Sequence, residues 1–399
     1  ARHRPQEALG QIQALGVPGS TRDLLAALVE VPDRARDASH RAGKRWTPGT
    51  RPCLIAERRA GETRMKDALA GIRVIDLSVN APGPFATRFL ADLGAEVTVV
   101  VNPRAAAPDY AGMEGDPVLS GRSGPLDALA RGKARRALDL KSPEGRAALL
   151  DMIAEADVLV SEMRPGKLEA LALGWDALST ANPSLILCRI SGYGARSSLA
   201  ARAGHDIDYI ARAGALDLCR APDGQPVPPQ NILSDYAAGG TMGAAAILAA
   251  LLRRDRTGQG ADIDLSMTDG VRYLLSDIAA ATLIAGRPVD DWRGTLGGSM
   301  PTYAVYETVD GRWMAVGALE PKFIAVLADA LDWPDLTALM ADRTLWAEAR
   351  TGLAARFAGQ TQAHWTALFD PLDACVAPVA ELCPGDPLPT LDDVFGSES

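Results

Sequence analysis

The sequence GIRVIDLSVNAPGPFATRFLADLGAEVTVVVN, residues 71–102, decides the fold. Its first part, IRVIDLS, is a short apolar run, and the NAPGP that follows is rich in turn-forming residues. FATRFLADLG then has helical spacing of its apolar residues, and AEVTVVVN is a second run rich in β-branched residues. This order predicts a βαβ unit, and therefore a parallel sheet with a ligand crevice at the carboxyl ends of its strands.

The same alternation continues along the chain. SPEGRAALLDMIAEA (142–156) has the pattern of a helix, whereas DVLVSEM (157–163) and SLILCRISGYG (184–194) have the pattern of strands. We therefore predict an α/β fold whose large domain, residues 65–285, is a Rossmann-like parallel sheet. The first loop lacks GxGxxG, so the pattern does not indicate a dinucleotide site.

A second, smaller domain is predicted after residue 301. PTYAVYETVDGRWMAVGAL (301–319) places an Asp-Gly turn between two runs rich in Tyr and Val, which is typical of a hairpin. We expect a linker at 286–301, a small α+β domain at 302–370 and a C-terminal segment at 371–399. Residues 1–64 are richer in basic than in acidic residues and are broken by Pro and Gly, so we expect a poorly ordered extension that the chemistry does not require.

Composition limits the class of protein. The 399 residues are 47% hydrophobic and 23% charged, which is enough for a large core. Five cysteines without ligand spacing indicate neither a disulfide framework nor a zinc site, and favour a cytoplasmic location. A net charge of −9 argues against a nucleic-acid partner. The longest apolar run, 244–252, is shorter than the roughly 20 residues of a membrane span, so we predict none.

The residues best suited to chemistry lie between 204 and 240. His205 is one of four histidines, and Asp235 directly precedes an Ala- and Leu-rich stretch, 236–252, that predicts a helix beginning at this acid. A capping role for Asp235 and a structural role for His205 remain the simpler alternatives. Gly239, Gly240 and Gly243 indicate a small-residue surface where a ligand could approach closely.

Several motifs in this order resemble the family III CoA transferases, or CaiB/BaiF family, and in particular their α-methylacyl-CoA racemase branch. The motifs that carry the resemblance are GHDIDY (204–209), N-x-x-x-D (231–235), RTGQGADIDLSMTDG (256–270), LAGIRVIDLS (69–78), PGPFATRFLADLGAEV (82–97), LDLKSPEG (138–145), RPG (164–166), ISGYG (190–194) and VGALEPKF (316–323). They cover roughly residues 66–380.

The resemblance implies a racemase or epimerase of 2-methylacyl-CoA thioesters, a part of fatty-acid and lipid metabolism, that transfers a proton through an enolate. His205 and Asp235 would be the acid-base pair, Asn231 would hold the Asp235 carboxyl group and Glu320 would orient His205. Imidazole suits the task because its reference pKa is about 6.5. The backbone amide of Asp206 could donate to the enolate oxygen.

The resemblance also implies which residues bind coenzyme A, here a part of the substrate, with no metal or redox cofactor required. The implied contacts are Leu138, Asp139, Leu140, Lys141, Glu162, Met163, Arg164, Gly204, Asp206, Ile207, Asp208 and Tyr209. The basic residues between 131 and 141 fit phosphate contacts and a solvated loop equally well. The family's dimers are interlocked, so a homodimer is expected.

Two alternatives stay open. In a family III CoA transferase, Asp235 would be a nucleophile that forms acyl-enzyme anhydrides. The second alternative is a non-catalytic homologue that only binds CoA thioesters. Two features favour it: Asn102 and Ala170 stand where the family has arginines, and the C-terminal segment is short. Arg104, Arg136 or Lys167 could replace those arginines. The acyl group is not specified, since sterol side chains, branched fatty acids and short acids all fit.

Overall fold

The fold is built on a six-stranded parallel sheet with the strand order β3-β2-β1-β4-β5-β6. The computed structural model describes residues 64–104, 128–221, 224–286, 296–381 and 391–395. The strands are β1 (Arg73–Asp76), β2 (Glu96–Val101), β3 (Lys133–Ala137), β4 (Val158–Ser161), β5 (Ile186–Ser191) and β6 (Ala261–Ser266). This is the Rossmann strand order, so the predicted α/β fold is confirmed. Apart from its last residue, the predicted extension 1–64 lies outside the described residues.

Helices cover both faces of the sheet. They are a 3₁₀ turn (Arg64–Asp67), α1 (Pro82–Asp92), α2 (Pro143–Ile153), α3 (Lys167–Ala170), α4 (Trp175–Ala181), α5 (Asp206–Ala213), α6 (Ala215–Leu218), a π-helix (Ile232–Thr241), α7 (Met242–Thr257), α8 (Met267–Leu274) and α9 (Ser276–Ala285). Leu90 of α1 and Ile247 of α7 share one core with Val160, whereas Leu149 of α2 shares the other with Leu159. The central strand β4 is therefore buried on both faces, which explains its unbroken apolar run.

The helix that carries Asp235 differs from the prediction. It begins at Ile232 as a π-helix and becomes the α-helix α7 only at Met242, so Asp235 is its fourth residue and not its cap. The predicted helix start was wrong because the carboxylate of Asp206, from a distant part of the chain, accepts the first-turn amides. A local pattern of capping residues cannot reveal a cap supplied by another element.

The π-helix and α7 together form the one helical stretch among the described residues with the length and apolar composition of a membrane span. It covers Ile232–Thr257, and slightly less than half of its most apolar part is buried. Ala244, Ile247 and Leu251 lie in the core beneath the sheet. A core helix of a folded domain has the same properties, so this stretch alone does not indicate a membrane.

The smaller domain has its own sheet and core. Its sheet, β7-β8-β9, is antiparallel, and β7 and β8 form the predicted hairpin. Its elements are β7 (Tyr303–Glu307), β8 (Trp313–Gly317), α10 (Pro321–Ala330), α11 (Asp335–Ala341), a 3₁₀ turn (Arg343–Leu345), α12 (Trp346–Phe357), α13 (Gln362–Phe369) and β9 (Val376–Pro378). The domain thus includes β9, beyond the predicted end at residue 370. Phe357 is the centre of its core, stacked on Tyr306 at 5.3 Å and meeting Trp365 edge to face.

The last described residues return to the large domain. The short helix α14 (Leu391–Phe395) places the Phe395 ring 6.3 Å from that of Phe89 on α1. Leu391 packs against the core on the same face of the sheet. The C-terminal segment therefore closes against the first βαβ unit.

Candidate active site

Asp235 and Asn231 form a hydrogen-bonded pair in the first turn of the π-helix. The Asn231 side-chain amide donates to Oδ2 of Asp235 at 3.0 Å, and both side chains are half-buried. Residues four apart on a helix lie on the same face, which brings the amide to the carboxylate. The geometry fits the positioning role that the resemblance implies for Asn231. π-helical turns are rare and occur frequently at functional sites.

Asp206 links α5, the helix that follows His205, to the turn that carries Asp235. Its carboxylate oxygen Oδ1 accepts the amide hydrogens of Ser234 and Asp235, each at 2.8 Å. The residue is 6% exposed, and burial raises the pKa of its carboxyl group. The two amide donors lower that pKa and the nearby charge of Asp235 raises it further. The side chain thus fixes α5 against the π-helix.

His205 precedes α5 and is exposed. Its backbone is extended, and its amide donates to Oδ2 of Asp208 at 2.9 Å. Asp206 is the first residue of α5, and a backbone amide at this position has no acceptor inside its own helix. An amide at this position can donate to an anion, because the positive end of the helix dipole lies there.

Tyr209 contacts the loop that precedes His205. Its hydroxyl donates to the carbonyl of Gly204 at 2.5 Å, and its ring meets Tyr193 edge to face at 5.1 Å. A Cβ on Gly204 would stand 2.7 Å from the Tyr209 ring, so only glycine fits there. Burial raises the pKa of Tyr209 to about 12, so its hydroxyl keeps its proton at neutral pH.

The glycines of the π-helix do not form a ligand surface, and that prediction was wrong. A Cβ on Gly239 would stand 2.6 Å from Cβ of Pro82, and one on Gly240 would stand 2.6 Å from the Phe85 ring. The small residues instead allow the π-helix to lie directly against α1. The close approach serves packing, because protein atoms occupy the space next to both glycines.

The segment after β3 holds a compact turn at the carboxyl edge of the sheet. The Asp139 carboxylate accepts the Lys141 amide at 3.0 Å and lies 3.3 Å from the guanidinium of Arg104. A Cβ on Gly145 would stand 2.1 Å from the Asp139 carbonyl oxygen, so the LDLKSPEG motif requires that glycine. The Arg104 amide in turn donates to the side chain of Asn102 at 2.9 Å. Leu138 and Leu140 pack inward, whereas the Lys141 side chain is exposed.

Glu162, which was predicted to contact coenzyme A, binds the loop after β1 through its carboxylate. Its carboxylate accepts the amides of Val79 at 3.0 Å, Asn80 at 2.7 Å and Gly83 at 2.6 Å. Burial raises the pKa of Glu162 and the three amides lower it. The loops that follow β1 and β4 meet at the centre of the sheet, so Glu162 shapes the crevice where parallel sheets bind ligands.

The other predicted contacts differ in exposure. Arg164 is exposed next to this crevice and lowers the pKa of Tyr209, whereas Met163 packs into the core. Ile207 and Asp208 are exposed on α5. Glu320 precedes α10 in the smaller domain, and no contact joins it to His205 among the described residues.

Two of the basic residues considered for phosphate binding form hydrogen bonds or ion pairs within the protein. The Lys133 amino group is buried and binds Asp76 at 3.4 Å, Thr87 at 2.7 Å and the Pro84 carbonyl at 2.8 Å. Arg131 binds Asp92 at 3.2 Å. Arg135 and Arg136 are exposed on the edge strand β3, as are Lys141 and Lys167 beyond the strand ends.

The carboxylates of Asp206 and Glu162 have roles that the sequence reasoning missed. Asp206 is buried and Glu162 is half-buried, and each accepts backbone amides from a remote element. A single acid in a motif carries no signal for such long-range partners. The acids Asp262, Asp264 and Asp269 lie on β6 and in the first turn of α8. No group of potential metal ligands occurs in the described part of the chain.

The comparisons with known proteins agree with this architecture. A family model for CoA-transferase family III matches residues 69–383. The chain belongs to CoA-transferase family III. It is 40% identical over 318 residues to mouse α-methylacyl-CoA racemase, covering 78% of this chain and 77% of the racemase. It is 33% identical over 333 residues to mouse succinyl-CoA:glutarate CoA-transferase, covering 82% and 73% respectively.

A solved structure of the same family fold is also similar. The crystal structure of Rv3272 from M. tuberculosis superposes with a TM-score of 0.64 at 28% identity, covering 78% of this chain and 83% of Rv3272. The predicted family and the predicted enzyme class, racemases and CoA transferases of this family, are therefore confirmed.

Proposed function

We propose that the protein racemises 2-methylacyl-CoA thioesters by transferring the α-proton through an enolate. The observation that carries the proposal is the carboxylate of Asp206, which ties the helix behind His205 to the turn that bears Asp235. An imidazole and a carboxylate are thus held on neighbouring elements at the carboxyl edge of the sheet. The racemase relative, at 40% identity, supports the same chemistry.

The reaction requires a base on one face of the α-carbon and an acid on the other. His205 or Asp235 takes the α-proton, and the electron pair of the C–H bond moves into the thioester to give an enolate. The other residue then gives a proton to the opposite face, which inverts the centre and leaves no net change in atoms. The residue that acts first depends on the enantiomer that is bound.

The enolate oxygen needs a donor that is already in position. The Asp206 amide, at the start of α5, supplies that donor together with the positive end of the helix dipole. Asn231 holds the Asp235 carboxyl group by the 3.0 Å hydrogen bond. These groups suffice for proton transfer, so we propose that the reaction uses no metal or redox cofactor.

Coenzyme A enters as part of the substrate. We propose that its phosphates lie along the exposed cations beyond β2, β3 and β4, which are Arg104, Arg136, Lys141, Arg164 and Lys167. Guanidinium and ammonium groups are the usual partners of phosphate. Glu162 and Asp139 would shape the loops without touching the ligand through their carboxylates, because both carboxylates already bind backbone amides.

We propose a homodimer as the working form. Large apolar side chains on α8 and α9 are exposed, with Tyr273 at 73%, Leu283 at 80% and Ile284 at 83%. Exposed apolar surface of this kind is typical of association sites. Analytical ultracentrifugation of the full chain measures the mass directly. The cysteines described, Cys188, Cys219 and Cys375, are free thiols, which fits the proposed cytoplasmic location.

Proton NMR in deuterated water tests the function. We expect the α-proton signal of an (R)-2-methylacyl-CoA to disappear while the (S) epimer accumulates. Acyl transfer to an added carboxylic acid without exchange of the α-proton would instead support a CoA transferase, as the 33% identical relative suggests. Binding of the thioester without either reaction would support a non-catalytic homologue.

A further inference from the structure

A cavity of about 690 Å³ opens at the carboxyl ends of β5 and β6. Its walls are the loop that follows β5, the helix α5 and the helix α8. Parallel sheets bind ligands at this edge, and the volume lies within the roughly 300–1,000 Å³ of small-molecule sites. Neither the proton-transfer pair nor the proposed coenzyme A contacts line it.

Three arginines line this cavity from three different elements. Arg196 lies in the loop after β5, Arg212 in the last turn of α5 and Arg272 in the last turn of α8. None of them forms an ion pair with another residue in the described part of the chain. A helix dipole favours a cation in the last turn, which explains Arg212 or Arg272 separately. It does not explain why three exposed arginines line one cavity in a chain of net charge −9.

Two acids also line the cavity, and they do not neutralise it. Both carboxylate oxygens of Asp264 accept the Ala195 amide, at 3.1 and 2.9 Å. Asp269 lies in the first turn of α8, where the dipole favours an anion. Three guanidinium groups against two carboxylates leave the cavity with one net positive charge.

The base of the cavity is apolar. Leu199 and Leu265 line it and pack against the core of the large domain. The Thr268 hydroxyl is already used, since it donates to the Gly192 carbonyl at 2.7 Å. Cations around an apolar base fit a ligand in which carboxylates are joined by a short carbon chain, because guanidinium forks bind carboxylates with two hydrogen bonds.

We propose that this cavity binds a carboxylate on a short carbon chain, either a free dicarboxylate or the distal end of a dicarboxylic acyl group. The second source rests on the proposed function, because it makes the cavity the acyl site of the racemase. Tyr193 lies between this cavity and the segment that carries His205. It lines the cavity, meets Tyr209 at 5.1 Å and stands beneath the Arg212 guanidinium at 5.8 Å, while Tyr209 binds the carbonyl of Gly204 next to His205.

The test combines binding and kinetics on the full chain. Glutarate binding is measured by titration calorimetry for the wild type, for Arg212→Gln and Arg272→Gln, and for Arg253→Gln as a control on the exposed side of α7. The α-proton exchange of 2-methylglutaryl-CoA is compared with that of its neutral analogue, 2-methylhexanoyl-CoA. We expect each cavity variant to lose about tenfold in glutarate affinity or in preference for the charged thioester, and the control to lose neither.

The two sources give different results. Glutarate binding that depends on the arginines, without preference for the charged thioester, supports a free dicarboxylate. A preference of kcat/KM for the charged thioester that both cavity variants reduce, with unchanged exchange of the neutral analogue, supports the acyl group. Equal kcat/KM for both thioesters together with no arginine-dependent glutarate binding overturns the proposal. If no thioester exchanges at all, the proposed racemase fails, and the glutarate titration alone decides the cavity.

Discussion

Oδ1 of Asp206 accepts the backbone amide of Asp235 at 2.8 Å. Asp206 directly follows His205, so this hydrogen bond fixes the position of Asp235 relative to His205. The bond joins two segments that are separated by a loop and a change of helix type. The relative position of His205 and Asp235 therefore depends on one buried carboxylate. Its removal tests how rigid the proton-transfer pair must be.

We expect Asp206→Ala to lower both stability and exchange, and Asp206→Asn to lower them much less. Alanine leaves the amides of Ser234 and Asp235 without their acceptor, at a cost of about 1–3 kcal/mol for each buried group. Asparagine keeps an oxygen in the same place. Urea unfolding and NMR exchange measure the two effects. Equal losses in both variants would contradict the acceptor role.

The pH dependence of stability should differ between the wild type and Asp206→Asn. Burial raises the pKa of the Asp206 carboxyl in the folded state. Its contribution to stability is complete below the unfolded-state pKa of about 3.9 and is lost as the pH rises through the folded-state pKa. The free energy of unfolding of the asparagine variant should therefore rise relative to the wild type as the pH goes from about 4 to neutral.

That comparison is made by urea unfolding at a series of pH values. Other acids with a raised pKa, such as Glu162, titrate in both proteins and cancel in the difference. A difference in free energy of unfolding that stays constant over the whole pH range would show that the Asp206 carboxyl does not titrate differently on folding.

His205→Ala and Asp235→Ala should affect the two enantiomers in opposite ways. Each variant removes the base for one enantiomer and the acid for the other. Loss of a positioned acid or base costs about 10²- to 10⁴-fold in rate. Initial rates of α-proton wash-out from (R) and (S) thioesters measure the asymmetry. Equal, small losses for both enantiomers in both variants would remove the two-base assignment.

Gly240→Ala should destabilise the large domain by about 1–3 kcal/mol, because the new Cβ would stand 2.6 Å from the Phe85 ring. Gly317→Ala is the matched control, since its Cβ would have an ordinary contact of 3.6 Å. Thermal unfolding of both variants measures the change. If the two variants melt at the same temperature, the packing of the π-helix on α1 is looser than described.

Arg104→Ala should raise KM for the thioester about tenfold and leave kcat unchanged, because Arg104 is the exposed cation beyond β2 that we propose binds a coenzyme A phosphate. Arg73→Ala is the control. It removes a cation that binds Glu155 at 2.7 Å at the opposite edge of the sheet. A fall in kcat with KM unchanged would assign Arg104 to the chemical step and not to binding.

Strands β1, β2, β4 and β5 could be predicted because each has its own local signal, whereas the strand order and the polar edge strand β3 could not. Apolar runs such as IRVIDLS and SLILCRI mark buried strands whatever their neighbours are. The Asp-Gly turn likewise fixed the hairpin of the smaller domain. These elements form from local composition, and their observed positions agree with the predicted ones.

The start and the type of the Asp235 helix could not be predicted. Its cap comes from Asp206, and the local composition carries no signal for a π-helix, which is rare. The same limit applies to Glu162 and Lys133, whose partners lie on other strands and loops. Nothing local in the sequence reveals these long-range contacts inside the protein.

The contact between Phe395 and Phe89 affects how the chain must fold. Phe89 belongs to the first helix of the sheet, whereas Phe395 is among the last residues described. During synthesis the first βαβ unit leaves the ribosome early, but this part of its surface stays uncovered until residue 395 has emerged. Closing so long a loop is slow, so the large domain reaches its final form only after the smaller domain has been made.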